Sequence, residues 1–276
     1  MHSNLPIGIF DSGMGGLTVF KAISQRLPAE DLLYLGDTAR LPYGTKGRET
    51  IIRYTLLASH ALIERGVKML VVACNTATAN ALPALQAKFA PLPVVGVVEP
   101  GAKAALEVTH NGRILVIATE ATIKSSVYEE AIKRLRPTAK ILAKACTLFV
   151  PMAEEGLMSG SLVEGIAHYY LDEVLASPNL PDTMILGCTH FPLLKGALEN
   201  VVGTKIKVVD PAATVAQTVQ TELARLNLLV SPDQGSAQKI GQKHFMTTDN
   251  QERFARTGSL FLGQDLEPAQ VELVDL

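Results

Sequence analysis

Short apolar runs rich in branched residues alternate along the chain with longer amphipathic stretches, and this alternation restricts the fold more than any other feature. The runs are IGIF from Ile7, DLLYL from Asp31, VKMLVVA from Val67, PVVGVV from Pro93, GRILVIA from Gly112, AKILAKA from Ala139, DTMILG from Asp182 and KIKVVD from Lys205. Between them lie helix-like segments such as Gly16 to Arg26, Arg48 to Arg65 and Ser161 to Leu175. Such alternation predicts mostly parallel sheets covered by helices, the α/β class, with ligands held at the carboxyl ends of the strands. In the segment from Arg48, Ile52, Leu56, Ser59 and Ile63 recur at helical spacing and are expected to face the core, with Gly66 stopping the helix.

At 276 residues the chain is long enough for two modest cores. A net charge of −2 leaves no basic field for nucleic acid. The opening MHSNLPIGIFDSG lacks the pattern of a signal peptide, and no run approaches membrane-spanning length, so a cytoplasmic protein without membrane contact is expected. The polar stretch from Leu229 to Gln242 reads as an exposed loop. Three widely spaced cysteines form neither a disulfide framework nor a metal signature.

A weak internal repeat organises the rest. MLVVACNTATANAL resembles TMILGCTHFPLLKGAL: each is a buried strand, a small residue, a cysteine, a polar pair and a helix. IGIFDSGMGGLTVF and ILVIATEATIKSSVY match in the same order at a similar offset. Two similar α/β units are therefore expected to face one another, 1–98 with 209–276 forming the first and 99–208 the second, each presenting one cysteine to a shared cleft.

Cys74 follows a strand and precedes Asn75-Thr76, which suit a helix start; there the positive helix end is expected to lower the thiol's pKa. Cys188 repeats the setting, followed by Thr189 and His190, and an imidazole beside a thiol can take or return a proton. Taken singly, either cysteine is as easily a small buried apolar residue, and His190 a capping side chain. Cys146 lies within ILAKACTLFV and reads as core. The turn FDSGMGG has glycines that permit positive φ and close approach, so its amides can cradle an anion, but it lacks the spacing of a nucleotide fingerprint. Asp11 there is either a proton relay or a turn aspartate. The loop GDTARLPYGTKG offers Tyr43 and the Gly44 amide to a polar ligand, with a plain surface turn as the alternative.

Two thiols flanking one cleft suit inversion at carbon: one removes a proton from one face while the other returns a proton to the opposite face. An α-proton is far less acidic than a thiol, so donors such as Ser12, Thr76 and Thr189 must stabilise the transition state through the carboxylate.

The motifs GIFDSGMGGLTV, GDTARLPYGTK, VVACNTATA, VVGVVEP and LGCTHFPLL resemble those of the glutamate racemases of the aspartate/glutamate racemase superfamily. The resemblance implies two pseudo-symmetric α/β domains, a homodimer, glutamate as substrate, D-glutamate supplied for peptidoglycan, and neither cofactor nor metal. It implies Cys74 and Cys188 as catalytic thiols, with Asp11 assisting the first, His190 the second and Glu154 nearby. It also implies substrate contacts from Asp11, Ser12, Tyr43, Gly44, Asn75, Thr76, Thr119, Thr122, Thr189 and His190. Thr147 and Met152-Ala153 depart from the family's usual residues. The competing readings are an aspartate or hydantoin racemase, a small-ligand binding module and a pyridoxal-phosphate racemase.

Overall fold

The chain is described by a computed structural model covering residues 3–230 and 240–276. Most of the polar stretch from Leu229 to Gln242 lies outside the described residues. All eight apolar runs form strands: β1 (Ile7–Asp11), β2 (Leu32–Gly36), β3 (Met69–Val72), β4 (Val94–Gly96), β5 (Arg113–Ala118), β6 (Lys140–Ala145), β7 (Thr183–Gly187) and β8 (Lys207–Val209). Two more, β9 (Lys243–Thr247) and β10 (Val271–Leu273), follow. The helices are α1 (Leu17–Arg26), α2 (Arg48–Glu64), α3 (Asn75–Phe89), α4 (Val98–Val108), α5 (Glu120–Lys124), α6 (Val127–Leu135), α7 (Phe149–Glu154), α8 (Ser161–Leu175), α9 (Lys195–Val202), α10 (Ala212–Arg225) and α11 (Gln251–Leu262).

Two sheets result, in the orders β10-β9-β2-β1-β3-β4 and β6-β5-β7-β8. Every pairing in both is parallel. The second order reproduces β2-β1-β3-β4 strand for strand, so β1 corresponds to β5 and β3 to β7. The sequence repeat is thus a repeat of topology, and β9 with β10 extends the first sheet alone. Burial on both faces makes the central strands continuous apolar runs: β1, β2, β3 and β7 are buried at every residue.

Helix α2 departs from the expected register. Its buried residues are Ile51, Thr55, Ala58, Ser59 and Leu62, while Ile52, Leu56 and Ile63 lie at the margin. The core-facing stripe is rotated by about one residue, roughly 100° of helix, because small and hydroxylated residues share the inner face. Gly66 terminates the helix as expected: at φ +76° it turns the chain, and its amide bonds the Ile63 carbonyl at 2.9 Å.

Candidate active site

The carboxyl ends of both sheets supply one cavity. Asp11 closes β1, Cys74 follows β3, Thr119 follows β5 and Cys188 follows β7, so the two cysteines stand at equivalent ends of corresponding strands. Cys74 and Cys188 line the same space, together with Ser12, Tyr43, Gly44, Asn75, Thr76, Thr119, Glu154, Thr189 and His190. Its volume between lining atoms is about 360 Å³, the solvent at its mouth included.

Cys74 is the N-cap of α3, its sulfur accepting from the Ala77 amide at 3.4 Å and lying 3.3 Å from Ser12 Oγ. The expectation that a helix start lowers this thiol's pKa is overturned. Burial pushes it up to about 12 and the nearby Asp11 carboxylate adds to the rise, outweighing the contacts from Ser12 and Ala77. At neutral pH Cys74 is a neutral thiol, carrying a proton.

Cys188 is set differently. The residues after it form a short 3₁₀ turn, Phe191–Leu194, and α9 starts only at Lys195, so Thr189-His190 do not open an α-helix as the repeat suggested. Its polar partner is His190, whose Nδ1 lies 3.8 Å from the sulfur. His190 Nε2 meets Glu154 Oε1 at 3.1 Å. Burial alone would lower the imidazole's pKa, but its bonds to Cys188 and Glu154 hold it up to about 10. The ring is therefore protonated at neutral pH. Each thiol thus has a proton-bearing group at hand, and the groups differ in kind.

Asp11 is fully buried, and burial raises its pKa against the opposing charge of His190. Its carboxylate accepts from the Gly13 amide at 3.0 Å and from Thr189 Oγ1 at 3.5 Å, and makes no hydrogen bond to Cys74. It bridges the two halves, acting on Cys74 through its field. The glycines of FDSGMGG do not use positive φ, since Gly13, Gly15 and Gly16 are not among the residues that adopt it, but they do permit close approach. A Cβ on Gly15 would stand 2.4 Å from Thr189 Oγ1 and 2.5 Å from His190 Nδ1.

Hydroxyls close the other wall. Thr76 Oγ1 lies 2.8 Å from Thr119 Oγ1 and 3.2 Å from Thr122 Oγ1, and the latter two are 2.9 Å apart. Thr76 and Thr119 line the cavity; Thr122 stands behind them, buried. Gly44 packs so tightly on Thr119 that a Cβ there would approach the threonine Cβ to 2.7 Å. Cys146 lies in the apolar core of the second sheet, where burial raises its thiol to about 12, and does not line the cavity.

The model of the Asp/Glu/Hydantoin racemase family matches residues 7–219. The chain belongs to this family. Among relatives, it is 48% identical over 260 residues to a glutamate racemase of Geobacter metallireducens, covering 94% of this chain and 93% of that protein. Among solved structures, it superposes on the glutamate racemase isoform RacE1 of Bacillus anthracis with a TM-score of 0.91 at 34% identity, covering 100% and 99% of the two chains. It also superposes on the glutamate racemase of Francisella tularensis in complex with D-glutamate, at a TM-score of 0.89 and 35% identity, covering 99% and 98%.

In this racemase fold several polar residues beyond the sequence-predicted set complete the surroundings of the cavity. Asp37, just past β2 as Asp11 is at the end of β1, takes the Tyr43 hydroxyl at 2.6 Å, and Arg40 and Thr248 on its other oxygen, each at 2.8 Å. The Tyr43 hydroxyl is thereby committed to Asp37. Tyr128 donates to Asn75 Oδ1 at 2.7 Å. Arg253, in the first turn of α11, donates to Glu154 Oε2 at 3.2 Å. The strand-end placement of Asp37 was a signal available in the sequence; nothing there marks Tyr128 or Arg253.

Proposed function

We propose that this chain interconverts L- and D-glutamate without a cofactor: of Cys74 and Cys188, one sulfur as thiolate takes the α-proton while the other as thiol gives its own proton to the opposite face. The carrying observation is that the two cysteines occupy corresponding strand ends, line one cavity and have different proton-bearing partners. In this reading one face of the substrate meets Cys74, with Ser12 and the field of Asp11 beside it. The opposite face meets Cys188, backed by His190 and Glu154. Deprotonation by one sulfur and reprotonation by the other invert the centre; the return reaction exchanges their roles.

The carbanion-like transition state is stabilised through the α-carboxylate, for which Ser12, Asn75, Thr76, Thr119 and Thr189, with the Gly44 amide, form the binding wall, Thr122 supporting Thr76 and Thr119 from behind and Tyr43 packing beside them with its hydroxyl on Asp37. Substrate lies between the units 1–98 with 209–276 and 99–208, the chain returning to the first unit at the end of β8. The product is D-glutamate for peptidoglycan, made in the cytoplasm by a homodimer. Identity to glutamate racemases over nearly the whole chain supports the substrate.

Circular dichroism of purified protein with L- and with D-glutamate, no cofactor added, tests this directly. Both signals are expected to decay to zero, and each of Cys74→Ser and Cys188→Ser to cut the rate by at least about a hundredfold, the lower range for losing a positioned acid or base. Wild-type turnover in either variant defeats the two-thiol reading. Activity on aspartate alone defeats the substrate.

A further inference from the structure

The topological repeat has one break, and it falls beside the active site. β9, α11 and β10 extend the first sheet and, among the described residues, have no counterpart in the second. This added segment reaches the cavity's outer shell through α11. Asn250, at φ +39°, caps the helix by accepting from the Arg253 amide at 2.9 Å, which fixes the first turn and the root of the Arg253 side chain. The guanidinium donates to Glu154 Oε2 at 3.2 Å, while Glu154 Oε1 meets His190 Nε2 at 3.1 Å and His190 Nδ1 faces Cys188 at 3.8 Å. Further along α11, Phe261 packs edge-on against the imidazole, ring centres 5.2 Å apart.

Both oxygens of a buried carboxylate are thus occupied, one by the imidazole and one by a cation from the added segment. A carboxylate held at both oxygens has one orientation, and it fixes the ring that faces the thiol. Among the described residues Cys74 has no such chain: its hydrogen-bond contacts are Ser12 and the Ala77 amide.

We infer that Arg253 is a positioning residue for the Cys188 face alone, acting through Glu154 on His190. The inference rests on the two-thiol reading above and adds an asymmetry to it. Interconversion of enantiomers has an equilibrium constant of one, so losing Arg253 lowers kcat/KM equally in both directions. The asymmetry shows in which proton transfer limits the rate. If the Cys188 step becomes slower, removal of the α-proton is more rate-limiting for the enantiomer that Cys188 deprotonates and less so for the other.

The test is Arg253→Met, with Arg253→Lys as the conservative variant, assayed with α-protonated and α-deuterated L- and D-glutamate. For Arg253→Met we expect about a tenfold fall in kcat/KM, carried by kcat. This is the low end for a hydrogen bond to a charged group, because the guanidinium is half exposed. The α-deuterium isotope effect is expected to rise for one enantiomer and fall for the other, and Arg253→Lys to recover at least a third of the activity. Isotope effects unchanged for both enantiomers, or moving together, overturn the inference, as does kcat/KM within twofold of wild type. Should Arg253→Met melt early, the same isotope comparison in Arg253→Lys and Arg253→Gln decides. Absence of racemisation in the wild-type protein would instead sink the functional reading, so the two failures are distinguishable.

Discussion

Substituting Gly15 by alanine probes how closely the two halves must meet. The added methyl carbon would stand 2.4 Å from Thr189 Oγ1, 2.5 Å from His190 Nδ1 and 2.7 Å from His190 Cε1. Ordinary contact begins near 3.4 Å, so Thr189 and His190 must retreat by 3.4 − 2.4 = 1.0 Å, or α1 must back away by as much. His190 is not free to swing, being held by Glu154 at Nε2 and by Phe261 against its ring. Overpacking of this size costs about 1–3 kcal/mol of stability. The larger effect is on chemistry, since misplacing a catalytic group by about 1 Å reduces rate by roughly a hundredfold. The matched control is Gly165→Ala in α8, where a Cβ meets nothing within 4 Å. That change should stabilise the helix by about 0.5–1 kcal/mol and leave turnover unaltered. Both variants are compared by thermal unfolding and by the decay of circular dichroism with each glutamate enantiomer. If Gly15→Ala keeps its activity within twofold while remaining folded, the close apposition of Gly15 and His190 has no part in positioning the proton donor.

Two further outcomes follow from the same geometry. His190 is raised from 6.5 to about 10, so its contribution to stability is fully present below pH 6.5 and is lost as pH rises through 10. The gap in unfolding free energy between wild type and His190→Gln should therefore narrow steadily from pH 6.5 to pH 10 in denaturant titrations; a constant gap would show that the folded imidazole is not held protonated. Cys146→Ala, in the core of the second sheet and away from the cavity, should retain wild-type kcat/KM with about 1 kcal/mol lost in thermal stability. A collapse of its turnover at unchanged folding would mean that the third thiol participates.

What the sequence disclosed, and what it withheld, divides along a physical line. Strands buried on both faces announce themselves as apolar runs, which made β1, β2, β3 and β7 legible, and the more exposed edge strand β6 was read from its alternation with helical segments. β9 was not, because KHFMT carries a charge and a histidine at its exposed end, and β10, VEL, is a three-residue edge strand. Cys74, Cys188 and Asp11 were legible because strand ends are where ligands sit, and the repeat brought the two cysteines into register; Thr119 was named by the family resemblance alone. The behaviour of those groups was less so. A helix N-terminus favours a thiolate by a fraction of a unit charge, but full burial strips water from the same sulfur, and at Cys74 burial prevails. That balance depends on how completely the folded chain buries the sulfur, which no local motif records. Tyr128 and Arg253 were missed for a related reason: each acts through a long-range hydrogen bond to a residue that does line the cavity, whereas Asp37 reaches Tyr43 only six residues away.

The repeat also accounts for a limit of symmetry. Two copies of one β-α pattern can deliver two thiols to opposite faces of a substrate, but identical surroundings would not give them different partners. The divergence enters where the copies differ: an α-helix begins directly after Cys74 and not after Cys188, and β9-α11 is attached to one sheet only. The first difference gives Cys74 the Ala77 amide, beside the Ser12 hydroxyl from the turn after β1. The second places a cation and an aromatic ring behind the histidine of Cys188. On the proposed two-thiol reading, a reaction symmetric in its overall equilibrium is served by an asymmetric pair, and the two sides can be tuned separately without altering where equilibrium lies.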